Sequence, residues 1–158
     1  TNRTGEFIMN IKQKEVLLKG INATRIAQRK GGGGRSLSYL EAWDVKAHLI
    51  RIFGFGGFSS EVLTSELVFE EKMEKNWSVG YKVELRLHIK ELDATYTEAA
   101  VGSAMLPQRG EAHDMAVKTA ESDALKRAAI NLGDQFGLSL YKNGQTAPVV
   151  METLADNE

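Results

Sequence analysis

The sequence predicts an α+β fold, and two stretches carry the prediction. Residues 77–89 alternate strictly, with Trp77, Val79, Tyr81, Val83, Leu85, Leu87 and Ile89 on one side and Ser78, Gly80, Lys82, Glu84, Arg86 and His88 on the other. That period of two marks a half-buried antiparallel strand. Residues 110–137 instead place Ala112, Met115, Ala116, Ala120, Ala124, Ala128 and Leu132 mostly three and four apart, and six alanines between 112 and 129 add helix propensity. This stretch reads as one long helix with an alanine face narrow enough for another element to approach closely, and Gly133 and Gly137 supply stopping points. Strands grouped in the middle and bracketed by helices give an antiparallel β-meander of three to four strands, flanked by helices, with the long helix last.

A chain of 158 residues fits one domain able to bury roughly 68–70% of the surface its unfolded form exposes. It contains no cysteine, so disulfide frameworks and thiolate chemistry are excluded, and a reducing interior is expected. No apolar run approaches the ~18 residues of a membrane span. The expected location is cytoplasmic in a bacterium or phage-infected cell, and nuclear or organellar in a eukaryote.

In chain order, residues 1–9 read as a tail. Ile11, Leu17, Leu18 and Ile21 suit a short amphipathic helix over about 10–21. Arg25, Arg29, Lys30, the run Gly31–Gly34 and Arg35 follow. Four glycines read either as a flexible linker or as a backbone open to a phosphate or another chain, with arginines at its edges. The run lacks the Gly-Lys-Ser/Thr ending of a nucleotide-binding loop. Leu37–Leu40 suits a short strand, with Tyr39 placed to pack on a base or to anchor the loop. A helix over about 41–53 buries Ala42, Val45, Leu49, Ile52 and Phe53, widened by Trp43 and Ile50, so Trp43 is expected in the core or at a subunit contact. A tight turn at 54–57 leads to strands over about 58–69, 77–89 and 95–101, with a turn near Leu92-Asp93. Residues 144–158 read as a polar, acidic tail.

The net charge of −1 conceals segregation. Residues 19–51 hold seven bases against two acids, while residues 61–74 hold five acids against Lys72. Such a chain can carry a basic groove, or a basic face that meets the acidic face of a neighbour. On the long helix, Lys118, Lys126 and Arg127 leave the same choice open. Asp114–Lys118 and Asp123–Arg127 have the i, i+4 spacing of ordinary surface pairs.

Nothing points to catalysis. The three histidines, His48, His88 and His113, fall on different predicted elements, only Glu111-His113-Asp114 is locally suggestive of a metal, and no nucleophile elbow is present. No enzymatic activity, catalytic residue, metal or cofactor is expected.

Several ordered pieces resemble the single-strand annealing proteins of the Rad52 type, including bacteriophage members. They are Arg29 with Gly31–Gly34, Tyr39-Leu40-Glu41, the run 53–58, Val79-Gly80-Tyr81, Gly102, and the run 123–128 followed by Gly133 and Gly137. The resemblance implies a homo-oligomeric ring or helical assembly that binds single-stranded DNA in a basic groove and anneals it to a complementary strand, without nucleotide hydrolysis, for recombination and repair. It implies an annealing domain over 10–143. Arg29, Tyr39, Lys126 and Arg127 match groove positions, and Lys118 matches a frequently basic one; Lys30 and Arg35 join them as nucleic-acid-binding candidates from the same basic stretch. A single-strand-binding protein or an exonuclease is an implied partner. Ile130 stands where animal members have a further groove arginine; the family's outer DNA contact involves a lysine where Lys75 or Asn76 now falls, Arg109 is a candidate substitute for another outer lysine, and the outer site stays open. The alternative is a structural or protein-interaction oligomer whose cations pair with acids of a neighbouring subunit.

Overall fold

The computed structural model describes residues 10–156; the expected tail at 1–9 lies outside them. The α+β class, the antiparallel meander and the long late helix are as the sequence predicts. The described residues form three α-helices and five strands, interspersed with short 3-10 turns. They divide into two compact units, one made of Ser59–His88 and Thr95–Ala128, the other of the remaining residues.

In the first of these units, strands β3 (Phe58–Met73), β4 (Asn76–Ile89) and β5 (Ala94–Leu106) form a three-stranded sheet in the order β3-β4-β5. Turns at Glu74 and Asp93, both with positive φ, connect them. The central strand β4 shows the alternation read from the sequence: Val79, Val83, Leu85, Leu87 and Ile89 are buried while Lys82 and Arg86 are exposed.

Helix α3 (Arg109–Ala129) buries Ala112, Ala116, Ala120, Ala124 and Ala128 completely. The contact is close because both sides are small. A methyl group built on Gly102 of β5 would run into the Ala120 backbone nitrogen and lie 2.7 Å from the Ala116 carbonyl oxygen. Met115, expected on this face, is half exposed. The helix also ends earlier than the alanine pattern suggests: 3-10 turns at Ile130–Leu132 and Asp134–Phe136 replace its last turns, broken by Gly133 at φ 97°.

The other unit begins with helix α1 (Ile11–Leu17), started by a capping box in which Asn10 Oδ1 accepts from Lys12 N at 2.8 Å and Asn10 N donates to Gln13 Oε1 at 3.2 Å. It is shorter than expected, because the chain leaves the helix before Gly20 and Asn22 caps a separate 3-10 turn, Ala23–Arg25. Strands β1 (Ala27–Lys30) and β2 (Ser36–Tyr39) then pair antiparallel. The glycine run is the loop of this hairpin rather than a linker. Gly33 and Gly34 take φ of 74° and 76°, a conformation that a side chain would oppose, and Gly31 N donates to Arg35 O at 2.6 Å to close the loop.

Helix α2 (Ala42–Phe53) buries Val45, Leu49 and Phe53 together with Asp44 and His48. Trp43 is not in this core. It is 64% exposed and donates Nε1–H to Glu41 Oε2 at 2.7 Å, since it lies a quarter-turn or more from the Val45–Leu49 face. Late in the chain, the buried Asp134 carboxylate accepts the backbone N–H groups of Val149 and Val150 at 3.0 and 2.9 Å.

Gly102→Val should destabilise the fold by about 1–3 kcal/mol, because backbone atoms of α3 cannot yield as side chains do. A Gly32→Ala control, with nothing within 4 Å of the added methyl, should stay within about 0.5 kcal/mol of the parent. Urea denaturation of the two variants checks the contrast.

Candidate nucleic-acid interface

Four candidate residues lie on or beside the β1–β2 hairpin. The register pairs Ala27 with Tyr39, Gln28 with Ser38, Arg29 with Leu37 and Lys30 with Ser36. Arg29 and Tyr39 are therefore diagonal neighbours on one face, within reach of long side chains. The Arg29 guanidinium carbon lies 5.4 Å from the Tyr39 ring centroid. Strand alternation sends Lys30 to the opposite face with Gln28, Ser36 and Ser38, where Gln28 Nε2 donates to Ser38 Oγ at 2.9 Å. Arg35 is exposed at the end of the glycine loop. The basic cluster of the sequence is thus divided: one face carries a cation stacked on an aromatic ring, the other a cation among hydroxyl and amide groups. A guanidinium can neutralise a phosphate and an aromatic ring can take a base, the two contacts that hold a single strand without reading its sequence.

The other three candidates lie on α3. Lys118 pairs with Asp114 at 2.9 Å as the spacing predicts. The expected Asp123–Arg127 pair does not form. Asp123 instead meets Lys126 at 3.3 Å, and Arg127 Nη2 reaches Glu98 of β5 at 3.6 Å. Glu98 shares the α3-facing side of β5 with Gly102 and Ala104 in strand alternation, so a cross-element carboxylate displaces the local one. At about 100° per residue, Lys118 and Arg127 face about 180° apart, and Lys126 lies between them, about 80° from Lys118 and about 100° from Arg127. All three pairs are at least partly exposed, the class worth about 0–1 kcal/mol, so a phosphate can compete for each cation.

Two polar networks had little signal in the sequence. In the hairpin's unit, Arg25 donates from Nε and Nη2 to the Asp44 carboxylate, at 2.9 Å for the shortest contact, and from Nη1 to Gln135 O at 2.8 Å. Gln135 Nε2 donates to the carbonyls of Lys19 and Gly20 at 3.1 and 2.8 Å. Its Oε1 therefore accepts from His48 Nε2–H at 2.8 Å, and His48 Nδ1 accepts from Arg51 at 3.1 Å. This arrangement suits the neutral ring alone. Burial above all, with the Arg25 and Arg51 charges, holds His48 below its ordinary 6.5 despite the Gln135 hydrogen bond and Asp44. The only trace in the sequence is an acid and a histidine, four apart, on the apolar side of α2.

In the sheet unit, Glu70 binds Arg109 through both oxygens, at 3.1 and 3.0 Å, and is hydrogen-bonded to His113 Nε2. The His113 bond first, then Arg109, keeps the Glu70 carboxyl below its usual range. His113 Nδ1 meets Tyr81 OH at 2.6 Å. Both ring nitrogens are thus directed away from the Glu111-His113-Asp114 grouping, and among the described residues no three His, Asp or Glu are grouped to hold a metal. Arg109 and Lys72 sit 5.0 and 5.2 Å from the Trp77 ring centroid. No helix among the described residues is long and apolar enough to cross a membrane.

The model of the Rad52/22 family of double-strand break repair proteins matches residues 10–157. Among curated proteins, the DNA repair and recombination protein rti1 of Schizosaccharomyces pombe is 34% identical over 134 residues, covering 82% of this chain and 35% of the relative. Rad22 of the same yeast is 33% identical over 129 residues, covering 79% and 27%. RAD52 of Saccharomyces cerevisiae is 30% identical over 125 residues, covering 78% and 26%. The chain thus spans about a third or less of the length of these relatives.

The His48 network yields a pH dependence. Because the folded-state value lies below the unfolded one, the unfolded chain binds the proton first as pH falls. Stability is complete above about 6.5 and is lost below it, with a slope of at most about 1.4 kcal/mol per pH unit for one proton. Urea midpoints at pH 7.5 and 5.5 should differ more for the parent than for His48→Gln, the difference isolating this ring from His88 and His113.

Proposed function

The chain belongs to the Rad52/22 family of double-strand break repair proteins, and from that premise we propose that it binds single-stranded DNA and anneals it to a complementary strand in recombination and repair. It acts as a homo-oligomer, without nucleotide hydrolysis, metal or cofactor. Residues 10–143 form the annealing domain and 144–158 its acidic tail. The relatives are named as DNA repair and recombination proteins, which supports the process.

The observation that carries the strand-binding reading is the Arg29–Tyr39 face, a cation and a ring held together on an exposed hairpin. Lys126 and Arg127 supply further phosphate contacts from α3, while Lys118, Lys30 and Arg35 supply peripheral charge. A single protomer with so few contacts binds weakly, and repetition around an oligomer raises the overall affinity by linkage. The bases remain available for pairing because the protein neutralises phosphates and does not read base edges. A single-strand-binding protein or an exonuclease that exposes single strands is the kind of partner this activity calls on.

Arg29→Ala should weaken binding of an oligo-dT strand and lower the log–log salt slope by about 0.7, and Lys126→Ala with Arg127→Ala should lower it by about 1.4, one phosphate per cation. Annealing of labelled complementary oligonucleotides without ATP should fall in parallel, while oligomer size and helicity persist. If the variants keep strand binding at moderate salt, the reading is wrong; if they dissociate into smaller species and the parent shifts no oligonucleotide, the cations serve a protein interface instead.

A further inference from the structure

A single buried ion pair joins the two ends of the hairpin that carries Arg29 and Tyr39. Arg25 closes the 3-10 turn just before β1, and Asp44 lies in the first turn of α2, just after β2. Their side chains are only 11% and 4% exposed. The guanidinium fork is fully occupied: Nε and Nη2 hold the carboxylate and Nη1 holds the Gln135 carbonyl at 2.8 Å. Arg51 adds a longer contact to Asp44 at 3.8 Å.

The hairpin is a short element. Each strand is four residues long, the loop is glycine, and an isolated two-stranded hairpin is marginal in water. Leu40 is buried at the base of β2. Arg25 anchors the start of β1 to α2 and to the turn after α3 at once, because a planar fork can serve two acceptor groups where an ammonium is a point charge.

We infer that Arg25 and Asp44 are positioning residues for the strand-binding face: they hold the base of the hairpin so that Arg29 and Tyr39 are presented together, and they touch no nucleic acid themselves. This rests on the proposed strand binding of that face, but its structural half stands apart from it. A positioning role and a phosphate contact differ in their salt signature. Losing a phosphate contact lowers the slope, whereas reducing the fraction of competent hairpins weakens binding at unchanged slope.

The test uses Asp44→Asn and Arg25→Lys in the full chain, with amide hydrogen exchange and oligo-dT binding measured on each. Exchange at residues 27–30 and 36–39 should accelerate about tenfold or more while β4, in the other unit, keeps the parent's rates. Affinity should fall about fivefold, with a salt slope equal to the parent's. Unchanged hairpin exchange, equal acceleration in both units, failure of both variants to fold, or a slope lowered as in Arg29→Ala would each overturn the inference. If the parent itself binds no oligo-dT, the strand-binding proposal fails, and the exchange measurement still decides whether the pair holds the hairpin.

Discussion

The close packing of α3 on the sheet is the constraint on which the sheet unit depends. An alanine every fourth residue leaves the helix no bulky side chain with which to stand off, and Gly102 leaves β5 none either. The backbones meet directly, which fixes the rotation of the helix about its axis. The placement of its cations follows. Once Ala116 and Ala120 face Gly102, Arg127 is committed to the sheet side, where it reaches Glu98, Lys118 to the far side, and Lys126 to a direction between them. A bulkier stripe would allow the helix to roll, and the bearing of those cations would roll with it.

The hairpin unit solves a different problem. Two four-residue strands and a glycine loop bury too little to orient themselves, so polar contacts at the base take the place of a hydrophobic face. Gln135 is central: its amide is oriented by two carbonyl acceptors, which leaves its oxygen to define the His48 tautomer, while its own carbonyl accepts from Arg25. Every member has a partner, the condition under which a buried polar network rigidifies a fold instead of weakening it. One consequence is acid sensitivity, since a second ring proton on His48 has no acceptor at Arg51.

Local periodicity made much of this legible. The alternation of β4 and the alanine spacing of α3 are each contained within one segment, and both appear where the pattern places them. Strand β1 was illegible because Ala-Gln-Arg-Lys has no apolar alternation; it is a strand only because the glycine loop folds β2 back onto it. Arg29 and Tyr39 were legible as separate residues, but their shared face is a matter of register, which the sequence does not contain. Arg127 shows the limit from the other side, for a favourable local partner at Asp123 lost to Glu98 through a contact that exists only once β5 and α3 have packed. The Arg25–Asp44 pair gave no signal beyond an acid on the apolar side of a helix.

The division between buried and exposed ion pairs also bears on how a chain of near-zero net charge can offer cations to a phosphate backbone. Arg25 is sealed with its carboxylate, and a phosphate cannot replace Asp44 without opening the unit. Lys118, Lys126 and Arg127 stand in pairs that water already weakens. In the proposed strand binding, exchanging a carboxylate for a phosphate there would release an acid to solvent at little electrostatic loss, and counterions leaving the strand would supply the drive. On that proposal, the resident carboxylates would compete with isolated anions and favour a ligand that engages several cations together. An extended strand does so because its charges recur along its length, whereas an isolated anion meets one cation and its acid at a time.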